Sequence, residues 1–194
     1  MLTSTLLLIA LWPSGSAADE RGAATRADYK SANFILHTDL SRERAEDLLT
    51  KLEAMLKIVS RYWGAPSRKT IECYVVVEPD NWPDDVLPPQ AKAQVRQGGI
   101  TLAQGIRRGR QLDMTAVVYA SAEFGTPLHE AVHAYCYQTF GVTGPTWYAE
   151  GMAEMGNYWV EGDSSVNCPE YVIEFLKQSP RPSIDQITDS DQNT

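Results

Sequence analysis

The sequence predicts an α+β domain with its helices gathered toward the C-terminal side. Two observations predict it. Apolar and polar residues alternate at residues 33–38, 71–77 and 112–120, as in half-buried strands. Apolar residues recur at helical spacing in Ala45, Leu48, Leu49, Leu52, Leu56 and Val59, and again beyond Thr126. The order strand, helix, strand, hairpin, strand and then helices fits segregated α+β layers. A chain of 194 residues suits one domain with its own core better than two.

The N-terminus reads as a leader. Residues 6–12 are apolar over about the length of a signal-peptide core, too short to span a bilayer. Small residues follow to Ala17 and Ala18, either of which suits cleavage, although no Lys or Arg precedes the apolar core. Residues 1–18 are thus expected to be a signal peptide and 19–194 a single secreted or periplasmic domain. The alternative is a short buried N-terminal helix.

Residues 22–30 are polar and expected to be loosely held. In residues 33–38, Phe34 and Leu36 share one face, and Ile35 and His37 the other. Ser41 is placed to cap a helix with Glu43 in its first turn, and Gly64 and Pro66 end it. In the next strand Ile71, Cys73, Val75 and Val77 lie on one face. A Pro- and Asp-rich loop follows, then a hairpin from Gly98-Gly99 to Arg107-Arg108-Gly109-Arg110. That basic cluster is read as solvated, because a net charge of −8 argues against nucleic acid and against anionic membranes as partners. Thr126 and Pro127 suit the start of a helix carrying Leu128, Val132 and Tyr135 on one side. Residues 141–144 break it, and a second helix runs from Pro145 to about Trp159. A short third helix starts near Pro169, and the tail from about 179 is expected to fray. Trp147 and Met152 are expected in the core.

Three cysteines, Cys73, Cys136 and Cys168, leave one unpaired whatever the pairing. Export permits a disulfide, with Cys136 and Cys168 a conceivable pair. The simpler reading is three small buried hydrophobes.

The chemistry lies in His129-Glu130-Ala131-Val132-His133. Helical residues four apart differ by about 40° and about 6 Å of rise, so both imidazoles project from one face. Zn²⁺ suits imidazole and carboxylate, and a catalytic site takes three protein ligands plus water. Glu130 lies about 100° round the helix from His129, badly placed as a ligand and well placed to accept a proton from an attacking water. Two of the three histidines are used here; the plain alternative is a surface pair. After a spacer of sixteen residues that includes a Gly/Pro turn, Glu150 follows His133. A second helix folding back presents it to the histidines. Glu154 is one turn further on and can accept the free ring N–H of a liganding histidine. The plain alternative for both is an exposed acidic helix face.

His-Glu-x-x-His followed by Trp-Tyr-Ala-Glu-Gly-Met-Ala-Glu resembles the gluzincin clan of zinc metallopeptidases. Within it, the chain is most similar to the secreted bacterial group called domain of unknown function 1570. The strand opening on Asn33-Phe34, the long first helix and the Gly-Gly hairpin are also similar. The resemblance implies a zincin-like domain with a small, twisted, mainly antiparallel sheet packed on the metal-binding helix pair. It implies Zn²⁺ held by His129, His133 and Glu150, Glu130 as general base, Glu154 supporting a ligand, and hydrolysis of a peptide or protein substrate. Such enzymes lay the substrate backbone along an edge strand before the metal helix, and residues 112–120 hold that place in sequence. The spacer before Glu150 is shorter than in thermolysin-like enzymes. Forty-four residues follow Glu150, with no histidine among them. Tyr158 and Tyr171 are therefore the downstream candidates for stabilising an oxyanion. Two other outcomes fit the sequence: a non-catalytic zinc or peptide-binding module on the same scaffold, and a soluble envelope protein without metal.

Overall fold

The computed structural model describes residues 26–109, 111–123, 125–158, 170–178, 183, 185 and 186. The leader, Cys168 and the tail lie outside them, so the signal peptide and any disulfide to Cys168 fall outside the described residues.

The described strands form one five-stranded sheet in the order β1-β2-β3-β5-β4. They are β1 (Ala27–Lys30), β2 (Phe34–Thr38), β3 (Ile71–Val76), β4 (Gly99–Arg108) and β5 (Gln111–Ser121). Pairings β1–β2 and β4–β5 are antiparallel, while β2–β3 and β3–β5 are parallel. The sheet is therefore mixed, a correction to the mainly antiparallel expectation. Parallel pairs need crossovers. Helix α1 (Arg42–Tyr62) supplies the first, between β2 and β3. The second runs from β3 through a 3-10 turn (Pro79–Asn81), α2 (Pro89–Val95) and β4 before reaching β5. Strand β1 was missed because four residues are too few to show a period.

Ser41 caps α1 by accepting from the Arg44 N–H at 3.4 Å. The helix buries Ala45, Leu48, Leu49, Leu52, Met55, Leu56 and Val59 against the sheet. Phe34, Leu36, Ile71, Cys73, Val75 and Val118 face that layer, together with α3 (Gly125–Phe140). Each such side chain contributes roughly 1.5–3 kcal/mol of burial. Of the helix pair only α3 packs on the sheet; α4 (Thr146–Asn157) packs on α3, a second correction. Helix α5 (Glu170–Gln178) leaves Ile173, Phe175 and Leu176 exposed.

The Pro- and Asp-rich segment folds over the other face of the sheet. Trp82, Leu87, Ala91 and Val95 form a second core with Val76, flanked by Tyr74 and Tyr119. Val77, expected on the face of Ile71, Cys73 and Val75, is 43% exposed, because the strand ends at Val76. Buried Asp39 holds this junction. Its carboxylate accepts from Val77 N–H at 2.7 Å, Glu78 N–H at 3.0 Å and the Trp82 indole at 3.3 Å. The third histidine, His37, belongs here too, with ring nitrogens 2.8 Å from Asp28 and 3.1 Å from Glu72. Cys73 and Cys136 are buried free thiols, and burial pushes both thiols up, Cys136 to about 11. No described helix is long and apolar enough to cross a membrane.

Glu53 ties α1 to the turn between β1 and β2. It accepts from the Ser31 hydroxyl at 2.6 Å and from the Asn33 main-chain and side-chain amides, both at 2.7 Å. Burial raises its carboxyl, but these hydrogen bonds outweigh burial and hold it below the usual range. A lowered folded value means the contribution is present above the unfolded pKa and is lost as pH falls through the folded one. Glu53→Gln is expected to cost ~1 kcal/mol near pH 7. Thermal melts across pH should show the gap to wild type closing under acid conditions.

Candidate metal centre

The two helices that carry the sequence motifs meet side by side. A Cβ placed on Gly156 would lie 2.8 Å from Val132 Cγ2 and 3.0 Å from the Leu128 carbonyl oxygen. The absence of a side chain there lets α4 press against α3, as small residues do wherever backbones approach closely. The start of α4 is fixed separately. The Trp63 indole, just past α1, donates to the Tyr148 hydroxyl at 3.1 Å, and Trp63 stacks on Tyr135 of α3 at 5.7 Å. Between the helices, Gly141 and Gly144 take positive φ values of 81° and 91°, which reverses the chain in a few residues.

His129, His133 and Glu150 converge as expected. The two Nε2 atoms are 3.2 Å apart. Glu150 Oε2 lies 3.3 Å from His129 Nε2, and its Oε1 lies 3.5 Å from His133 Nε2. Bonds of about 2.0–2.1 Å at tetrahedral angles separate neighbouring zinc ligands by roughly 3.3–3.4 Å. The two histidine nitrogens lie close to that spacing, and Glu150 brings one carboxylate oxygen against each of them, so the donor set fits zinc. Burial lowers the His133 pKa, with His129 acting in the same direction and Glu150 against it. A neutral imidazole is the form that ligates.

Glu154 joins from one turn further along α4. Its Oε1 is 3.2 Å from His129 Nδ1, the nitrogen facing away from the other two donors. Its Oε2 accepts from the Asn157 side-chain amide at 3.1 Å. Trp147, by contrast, is 44% exposed and not a core residue, whereas Met152 is buried.

A cleft of about 340 Å³ opens beside the three donors, lined by Gly99, Ile100 and Thr101 of β4 as well as by α3 and α4. Glu130 sits between β4 and α3, 8% exposed. Thr101 Oγ1 lies 2.7 Å from Glu130 Oε2 and 2.8 Å from the Glu130 carbonyl oxygen. Burial pushes the Glu130 carboxyl up, opposed by the Thr101 hydrogen bond and by His133, while Glu150 pushes it further up.

Two sequence expectations, the edge strand and Tyr158, come out differently, and a third, Tyr171, is left open. The strand at residues 112–120 is interior, between β3 and β4, so β4 supplies the free edge beside the cleft. A hairpin puts either arm outermost, and only the pairing of β5 with β3 decides which. Tyr158 ends α4, eight residues beyond Glu150 and about 12 Å along the axis, and does not line the cleft. Tyr171 falls on α5, and its side chain lies outside the described residues. Tyr137 does line the cleft, and its hydroxyl has no hydrogen-bond partner among the described residues. Its signal was present in the sequence: His129, His133 and Tyr137 repeat every four residues and so share one helix face. Thr101 had no such signal, because it reaches Glu130 only through the fold.

No family model matches the chain, and no curated protein is significantly similar to it.

Gly156→Ala is expected to force α4 away from α3. Overpacking of this kind costs about 1–3 kcal/mol, to be read as a lower melting temperature of the metal-free protein. An unchanged melt would mean that the helices are not in contact there.

Proposed function

We propose that the protein is a zinc-dependent peptide hydrolase of gluzincin type with a zincin-like domain. The observation that carries this is the convergence of His129, His133 and Glu150, whose nearest donor atoms lie 3.2 to 3.5 Å apart, with a buried carboxyl, Glu130, opening on the same cleft. A purely structural site closes all four positions with protein ligands, whereas here the fourth side faces a cleft.

Zinc held by these residues would polarise a scissile carbonyl and bring the pKa of water toward about 7. Glu130 is the proton carrier. Its raised pKa brings it closer to the range useful for a base at neutral pH. Thr101 serves both of its forms. Toward the carboxylate it donates; once Glu130 is protonated, the carboxyl O–H donates to Thr101 Oγ1, which donates to the Glu130 carbonyl. Glu154 accepts from His129 Nδ1 and so keeps Nε2 free to ligate. The exposed edge of β4 offers unpaired main-chain groups to an extended peptide beside the cleft. Tyr137, rather than Tyr158, takes the part of donor to the carbonyl oxygen as charge develops on it.

Wild-type protein is expected to retain one zinc per chain after dialysis, measured by elemental analysis. Glu130→Gln should keep that zinc and lower kcat on a peptide library by at least about 100-fold. Retained turnover in this variant would refute the mechanism. A zinc-loaded wild type inert toward the library would favour instead a non-catalytic zinc or peptide-binding module, and absence of stoichiometric zinc a metal-free protein. Tyr137→Phe should lower kcat by about 100-fold with KM and zinc content little changed; an unaltered kcat would remove Tyr137 from the chemistry.

A further inference from the structure

At the far end of the helix pair, the last residue of α4 meets the first residue of α3. Asn157 closes α4 and Gly125 opens α3. The Asn157 amide nitrogen donates to Glu154 Oε2 at 3.1 Å, and the other Glu154 oxygen faces His129 Nδ1 at 3.2 Å. The remaining polar atom, Asn157 Oδ1, occupies the space a side chain on Gly125 would need: a Cβ there would lie 1.9 Å from it. Carbon and oxygen cannot approach so closely, so any residue but glycine at position 125 evicts the Asn157 amide.

We infer that Gly125 and Asn157 form a positioning latch for the metal centre, setting the orientation of His129 through Glu154. The inference rests on His129 being a metal ligand, and goes beyond it in naming two residues that touch neither metal nor substrate. A carboxylate at the end of a half-exposed glutamate has rotamers to lose. Glu154 is 40% exposed, so one contact to His129 holds it weakly. Asn157 supplies the second, on the opposite oxygen, and a carboxylate held on both oxygens points one lone pair at Nδ1. The geometry also couples the ends of the two helices. The amide that holds Glu154 has room only because α3 begins without a side chain.

The latch differs from general packing in one respect: its two members act through a single contact. Removing either should remove all of it. Asn157→Ala and Gly125→Ala are each expected to weaken zinc binding about 10-fold, within the range seen when partners behind a metal ligand are lost. The double variant should be no weaker than either single. Zinc affinity is read by competition with a chromophoric chelator, and folding by far-ultraviolet circular dichroism. The same cycle is run on the melting temperature of metal-free protein, where a shared contact again predicts non-additive losses. Wild-type zinc binding with Asn157→Ala within about twofold of it would overturn the inference and leave the proposed function standing. Additive losses would also overturn it, as two independent packing defects. A wild type that binds no zinc would instead sink the proposed function. The latch would fall with it, since no metal ligand would be left to position, and a non-additive melting cycle would then report only a packing contact between Gly125 and Asn157.

Discussion

Everything at the candidate centre depends on how closely two helices approach. His129 and His133 need only their own helix to face the same way, but the third donor is on another element. Glu150 reaches them because Gly156 removes the side chain that would otherwise meet Val132 and the Leu128 carbonyl. The order of events along α4 follows from that contact. Glu150 stands near its start beside both Nε2 atoms, Glu154 one turn on beside His129 Nδ1, and Asn157 at its end against Gly125. A helix held at a greater distance would present the same carboxylates to solvent as an ordinary acidic face.

The carboxyl proposed as general base is set by a different contact. Glu130 packs against β4, where Thr101 meets both its carboxylate and its main-chain oxygen. The work around α3 is thereby divided between two neighbours: α4 brings Glu150 to the histidines, and β4 holds Glu130. The division matters electrostatically. Burying a carboxyl disfavours its charged form, and Glu130 is the more deeply buried of the two glutamates at the cleft. Glu150, more exposed, stays well hydrated. Environment, rather than residue type, separates the two roles.

The sheet supports this arrangement by having two dissimilar faces. One is an apolar layer against α1 and α3 that fixes the metal helix. The other is closed by the Trp82 and α2 segment, where His37 pairs with Glu72 and Asp39 accepts from the Val77 and Glu78 amides and the Trp82 indole. Because β5 is paired on both sides, the described strand that borders the cleft is β4, whose outer edge has no partner strand among the described residues.

The amino-acid sequence alone determined the local pieces: the capped α1 with its apolar stripe, the hairpin, and the two helices with the histidines and glutamates at their spacings. These follow from short-range periodicity and turn chemistry, which a single segment carries in full. It also picked out the three candidate donors that converge in the fold, because i, i+4 geometry and a reversing turn leave few places for Glu150 to go. Strand direction and neighbour were decided only in three dimensions, since a period of two reads the same for parallel and antiparallel pairing. Hence β5 proved interior and the sheet mixed. The contacts of Thr101 with Glu130 and of Asn157 with Gly125 join residues about thirty positions apart, and no local pattern records such a meeting. The candidate donors were written in one helix and a turn. What holds Glu130 and Glu154 in place was decided by packing.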